Sequence, residues 1–309
     1  MGVPIEAGNA PDYSASSTSK FTPQIWSGKL LVKFYDATVL AAIANTDYEG
    51  EIKNKGDKVI IRTRASIKIN DYVKGMILDY EHPESQATEL DIDQAKYFAF
   101  ELKDVDRVQS DIALMSEWAE DGSEQMKIAI DTDVLGVIYT QVVPENAGAT
   151  AGRISGDINL GTALAPLEVD KTNILDVLVD FGTVLDEQNV PENGRWVILP
   201  ASICGMIKKS DLKDASLAGD GTSILRNGRL GMIDRFTIYS SNLLHVIAGS
   251  YDVVFGHKAG VTFASQITEM DKLKNPNDFG EFARSLQVYG FKVTKGEAVG
   301  HAVLKKKAA

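Results

Sequence analysis

Cysteine is nearly absent. Cys204 stands alone in 309 residues, so neither an intrachain disulfide nor a multi-cysteine zinc site can form. Histidine is scarce: His82, His245, His257 and His301 are scattered and form no helical pair, so a metal site would need convergence from far along the chain. Basic charge is in deficit. Lys plus Arg number 32 against 43 Asp plus Glu, a net charge of −11. A duplex-DNA binder carries the opposite excess, so general nucleic-acid binding is disfavoured. Long apolar runs are missing too. The stretch from Leu30 to Ala44 is cut by Lys33 and Asp36, and the first 24 residues hold no apolar run, so neither a membrane span nor a signal peptide is expected. No phosphate-loop motif and no nucleophile elbow occurs, and Gly219-Asp220-Gly221 lacks the frame of a dinucleotide site.

What is present is an ordinary globular composition, 44% apolar and 24% charged, enough for a sizeable core. It predicts an acidic, soluble protein made in a reducing compartment. Met1 to Phe21, rich in hydroxyl residues and Ala, reads as an arm ordered only against something else. Thr22-Pro23 opens a helix that the apolar spacing carries to about Asn45, with Trp26 and Phe34 as core candidates. Asp57 to Asn70 and Ile92 to Lys103 alternate as strands around a polar tip, Asp71 to Glu89. Together they predict an extended hairpin, with Phe98, Phe100 and Leu102 sharing a face. Such a ribbon cannot bury both faces on itself and needs a neighbour.

Asp111 to Val142 carries the strongest helical pattern, about 48 Å at 1.5 Å per residue, with Trp118, Ile130 and Val134 in its apolar stripe and Gly122 as a potential kink. Val143 to Pro166 reads as a connector. Asp170 then caps a helix running to Gln188. Arg195 to Leu199 is a short buried strand containing Trp196. Strands follow at Phe236 to Ser240, Tyr251 to Phe255, Ile267 to Lys274 and Leu286 to Thr294, with Phe236 in the core and Lys209 to Arg229 a polar loop. Helices and strands mix without a regular βαβ repeat, so the class is α+β.

Little in the chain argues for catalysis. Cys204 lies in an apolar stretch and reads as a buried small hydrophobe. The acidic pairs Asp91/Asp93, Asp104/Asp106 and Asp131/Asp133 match no calcium loop and read as solvated charge. A charge asymmetry says more. The predicted arm carries Lys53, Lys55, Lys58, Arg62, Arg64, Lys68 and Lys74, whereas the long helix carries Asp111, Glu117, Glu120, Asp121, Glu124, Asp131 and Asp133. These are either two solvated faces or an arm of one copy lying on the helix of another. In the second case Arg62, Arg64, Lys68 and Lys74 would face Glu117, Glu120, Asp121 and Glu124 across the interface and set register.

The order of elements resembles the tailed-bacteriophage major capsid protein family, whose fold is shared with encapsulins and the herpesvirus capsid floor. Local strings carry the resemblance: Ile25-Trp26-Ser27; Asp47 to Ile52 followed by Gly56 to Val59; Asp104-Val105-Asp106-Arg107; Pro191 to Pro200; Gly231 to Asn242; and Val288 to Val293. They span most of Phe21 to Leu304. The resemblance implies an N-terminal arm (1–21), an N-terminal helix (22–49) and an extended loop overlapping a neighbour (50–103). It further implies a peripheral domain with a spine helix and connector (104–166), an axial domain (167–274) and return strands of the peripheral domain (275–309). It implies no cofactor. Its partners would be further copies in pentamers and hexamers, a portal, possible decoration proteins and weakly held double-stranded DNA. Because only residues 1–21 precede the first predicted helix, a separate scaffolding protein is also implied. The location would be the virion capsid, assembled in the host bacterial cytoplasm. Competing readings are an encapsulin-like compartment, a tail or tube polymer, and a small oligomeric hydrolase using scattered acids and His257.

Overall fold

The computed structural model describes residues 35–36, 38–47, 58–62, 67–72, 74–77, 80–82, 87–103, 114–210, 231–275 and 279–307. The predicted N-terminal arm, Trp26, Phe34, Arg64 and most of the loop from Lys209 lie outside them. Of the first predicted helix, the described part is helical only at Leu40–Ile43 (α1), and the residues just before it are not helical. The long helix runs over Leu114–Ile138 (α2) and passes straight into a 3₁₀ turn, Tyr139–Gln141.

The predicted hairpin is built differently from its expectation. Lys58–Arg62 (β1) pairs antiparallel with Ala87–Asp91 (β2), not with Ile92 to Lys103, and residues 67–70 are not a strand. Gln94–Lys103 (β3) belongs to another sheet. The change of partner happens across Ile92 and Asp93. Alternation told which face each strand buries but not which strand it meets, because period 2 is the same in both pairings.

The sheet that β3 joins has the order β10-β11-β3, where β10 is Val261–Lys274 and β11 is Gly280–Val293, all antiparallel. At about 3.4 Å per residue the two long strands span about 48 Å. α2 lies across this sheet. The Phe98 ring sits against Gly122, where a Cβ would come within 3.1 Å of ring carbons. Phe100 meets Trp118 edge-on at 5.6 Å between centroids. Gly122 is therefore a packing residue, and the helix continues through it.

The larger sheet has seven strands. Leu167–Val169 (β4), Arg195–Leu199 (β5), Met232–Ile233 (β6), Phe236–Ser240 (β7), Val246–Ile247 (β8), Ser250–His257 (β9) and Val299–Lys306 (β12) run in the order β4-β12-β9-β5-β7-β6, with β8 added on β9. β4–β12 and β5–β7 are parallel and the remaining pairs antiparallel. The last strand, which the sequence pattern did not single out, thus enters this sheet beside β9. Every residue of β5 is buried, as a central strand covered on both faces requires.

Ile174–Glu187 (α3) covers the sheet, stacking Phe181 on Phe255 at 4.2 Å, and Phe236 meets Phe255 edge-on at 6.3 Å. Asp170 lies just ahead of α3, one turn short of the cap itself, which is Asn173. Its carboxylate accepts the Thr172 hydroxyl and the Thr172 and Asn173 amides, which draws its pKa down to about 2. Ala201–Ile207 (α4) follows β5.

A single core cluster runs from α1 and the C-terminal half of α2 through α3, α4 and the seven-stranded sheet; Ile130, Val134, Trp196 and Phe236 lie in it. Trp118 does not. It is 40% exposed, because the stripe Met126–Ile130–Val134 enters this core while Trp118, two turns earlier, has a single aromatic edge against it.

Gly300 of β12 lies opposite Phe255, whose ring fills the space a Cβ would take. Gly300→Ala is expected to cost about 1–3 kcal/mol by overpacking, read as a lower urea midpoint with unchanged slope.

Candidate assembly surface

The ribbon β1–β2 has one anchored face and one free face. Val59 and Ile61 of β1 and Leu90 of β2 are buried with Ile92, Ala264 and Val288, and with the partly buried Ala95 and Leu286. That small core fixes the ribbon to the three-stranded sheet. Gly290 of β11 admits the Asp91 carbonyl and the Ile92 backbone where a side chain would clash. On the free face Ile60 is exposed, and so is Arg62.

Beyond the ribbon the chain folds back on itself. The Lys68 amide donates to Glu81 Oε2 at 3.0 Å, and Lys74-Gly75 makes a turn with Gly75 at φ +92°. Along this stretch Ile67, Ile69, Tyr72, Met76, Ile77 and Tyr80 are all exposed, Ile69 at 89% and Ile77 at 94%. A local concentration of apolar side chains in water marks a surface built for contact. Composition and charge had singled out the cations of this segment. Alternation places Ile67 and Ile69 on one face, but the tip from Asp71 to Glu89 reads as polar and holds the exposed Tyr72, Met76, Ile77 and Tyr80.

The acids of α2 stand at its N-terminal half. Glu117 and Glu120 are exposed. Asp121 accepts the Tyr35 hydroxyl at 2.8 Å, and that bond, with some burial, holds the Tyr35 pKa above its usual value. Glu124 pairs with Lys127 at 2.6 Å. Among the described residues, Arg62, Lys68 and Lys74 form no ion pair with these four acids.

The remaining acids of α2 are structural, and here the reading of Asp131/Asp133 as solvated charge fails for Asp131. Asp131 is buried, and its Oδ2 accepts the amides of Val39 at 2.6 Å and Leu40 at 3.2 Å, closing the N-terminus of α1. Burial pushes its carboxyl pKa up against the pull of those two amides. Two residues on, Asp133 accepts the Tyr289 hydroxyl at 2.9 Å and pairs with Lys96 at 2.5 Å, which ties α2 to β11 and β3. Burial and then the bond to Asp133 raise the Tyr289 hydroxyl pKa. A second buried polar joint lies under β5. The Arg195 guanidinium donates to Asp186 at 2.6 Å and to the carbonyls of Val190 and Pro191. Arg235 bridges Asp186 and Glu192 at 2.9 Å each. Burial raises the Asp186 pKa, but the two guanidiniums outweigh it and hold the carboxyl low.

The imidazole of His257 contacts the Asn193 carbonyl at 2.9 Å through Nε2 and accepts the Ala259 amide through Nδ1. Cys204 is buried and its thiol pKa is pushed up by burial. Among the described residues no group of three or more His, Cys, Asp or Glu side chains could hold a metal, and no helix is long and apolar enough to cross a membrane.

Comparison with known proteins gives the family and the fold. A family model described as phage capsid protein matches residues 87–302. A solved chain from Mycobacterium phage Che8 is similar over 94% of this chain and 99% of its own, with 24% identity and a TM-score of 0.73. A chain from the mature capsid of bacteriophage PhiM1 is similar over the full length of both, with 15% identity and a TM-score of 0.66. The capsid chain of a native GTA particle covers 97% of this chain and 100% of its own, with 12% identity and a TM-score of 0.63. At these identities the likenesses show a common fold. No curated protein matches the chain.

Asp131→Ala leaves two amides without their acceptor and is expected to cost about 2–4 kcal/mol, whereas Asp131→Asn, which keeps an acceptor oxygen, should cost less. Denaturant unfolding of both variants checks the order. Trp118→Ala, at a half-exposed site, should cost the isolated subunit about 1–2 kcal/mol, below the range for a fully buried Trp. The same unfolding measurement reads it.

Proposed function

The chain belongs to the phage capsid protein family, and from that premise we propose that its copies close into an icosahedral shell through pentamers and hexamers, each arm lying on a neighbouring subunit. The role is structural. The observation that carries the reading is the exposed apolar face from Ile67 to Tyr80, borne on a ribbon anchored at its base. One buried aliphatic side chain yields about 1.5–3 kcal/mol, whereas one exposed ion pair yields about 0–1 kcal/mol. The apolar side chains therefore supply affinity. Arg62, Arg64, Lys68 and Lys74 against Glu117, Glu120, Asp121 and Glu124 of a neighbour supply register. Trp118 and Phe100, half-exposed at the N-terminal end of α2, fit the receiving surface.

In this reading the location is the virion capsid, assembled in the host bacterial cytoplasm with a separate scaffolding protein and a portal, and open to decoration proteins. The enclosed double-stranded DNA is contacted weakly, as a subunit of net charge −11 favours. The similar chain of phage PhiM1 comes from a mature capsid, which supports the closed-shell reading over an open polymer.

Replacing Ile69, Tyr72, Ile77 and Tyr80 together by Ser should leave the subunit folded by circular dichroism and abolish shells in negative-stain micrographs. Normal shells would remove the arm from the assembly surface. Arg62→Glu with Arg64→Glu should slow assembly roughly tenfold in light scattering at low salt, and Glu117→Lys with Glu120→Lys on the same chain should recover part of the rate. Equal damage to folding would count against pairing between subunits.

A further inference from the structure

The C-terminal end of α2 meets the seven-stranded sheet at a polar cluster that the assembly role does not use. Asp252 of β9 is buried. Its Oδ2 lies 2.7 Å from His245 Nδ1 and its Oδ1 lies 2.9 Å from His301 Nε2. Asp252 and His301 are diagonal neighbours on adjacent strands, since Asp252 faces Val303 and Val254 faces His301. Tyr139, the first residue after α2, covers both imidazoles, 5.3 Å from His245 and 5.1 Å from His301 between ring centroids. The titratable groups that face one another here are Tyr139 from the end of α2, His245 from the segment before β8, Asp252 from β9 and His301 from β12.

We propose that Asp252, gripped by His245 and His301 beneath Tyr139, is a proton-operated latch that fixes the end of α2 to the large sheet and loosens when the medium turns acid. Each imidazole sets a ring nitrogen against a separate carboxylate oxygen of Asp252, and the Tyr139 ring packs on both rings. On His301 an added proton goes to the nitrogen pointing away from Asp252, Nδ1. The His301 side chain is 15% exposed, so little water reaches a charge placed there and that charge is costly.

Burial lowers the His301 pKa, and the bond and charge of Asp252 oppose this without cancelling it. The unfolded chain, with an ordinary His near pH 6.5, then takes up a proton before the folded one does. Stability from this site is full above about pH 6.5 and is lost as the pH falls from there through the lower folded value. The first contact to yield is Tyr139 on the two rings, because a proton on His301 gains hydration only when that ring lifts.

The test is amide hydrogen exchange by mass spectrometry on the full-length unassembled subunit at pH 7.5 and 5.5, corrected for intrinsic rates, followed in peptides spanning 136–146 and 299–306. The expected result is about tenfold faster corrected exchange in these peptides at pH 5.5, with little change in α3, and loss of that gain in His301→Gln, whose amide keeps a donor to Asp252 but does not titrate. Equal protection at both pH values, or an undiminished gain in His301→Gln, overturns the latch. Should His301→Gln not fold, a nuclear magnetic resonance titration of the unaltered, histidine-labelled subunit decides. One histidine with a midpoint below pH 6.5 that coincides with the onset of exchange upholds the latch, and four midpoints at or above pH 6.5 overturn it.

Discussion

One contact orients everything else: α2 lying flat on the three-stranded sheet with Phe98 pressed against the bare backbone at Gly122. A helix of 25 residues is a rod about 38 Å long. Its first half rests on β3 and β11, and its second half buries Met126, Ile130, Val134, Leu135 and Ile138 in the main core. The rod thus belongs to both sheets at once and sets their relative orientation. Asp133 locks it to β11 and β3 through Tyr289 and Lys96, while Asp131, on another face of the same turn, captures the amides that open α1. Two acids two residues apart serve two different neighbours because a helix turns about 200° between them.

The arm follows from that arrangement. β3 is held by β11 along ten residues, and its entry at Ile92 is pinned in a small core over Gly290. β2 must therefore leave the sheet at a defined place and angle, and β1 pairs with it there. The base of the ribbon is rigid, and its apolar far end projects into water. A flexible apolar appendage would collapse on its own subunit. A ribbon anchored through Val59, Ile61 and Leu90 keeps the appendage presented, which in the proposed assembly would lower the ordering entropy lost on binding.

Much of this was legible in the sequence, and the gaps share a cause. Periodicity exposed α2, α3, β5, β7 and the inward face Phe98–Phe100–Leu102, because each is a local pattern imposed by one buried side. It could not tell that β2, not β3, pairs with β1, since the alternation is compatible with either. It could not separate Asp131 from Asp133, or Trp118 from Ile130, because each pair has the same local signal and differs in what another element brings. β12 was missed for a related reason. Gly300, His301 and the lysines after Leu304 break the apolar pattern, yet the strand lies inside the sheet, and Gly300 makes room for Phe255. The cations and acids of the candidate surface were legible as composition. Which of them meet is not, because composition says nothing of contacts made far along the chain or between copies.

The division between polar and apolar groups explains how one subunit can be both well defined and sociable. Its internal joints are charged or polar and fully partnered: Asp131 under α1, Arg195 with Asp186 and Arg235 beneath β5, and Asp252 between two imidazoles at the end of α2. Such groups add little net stability, since desolvation offsets most of the attraction. They punish wrong arrangements, because any shift strands a buried charge. Apolar contact between subunits has the opposite character, strong per unit area and tolerant of small changes in angle. A shell whose subunits repeat in slightly different surroundings needs both properties, and the proposed assembly keeps them apart: orientation is enforced inside the chain, and adhesion falls to the arm. A proton that weakens an internal joint would then change the shape of the subunit without weakening its grip on its neighbours.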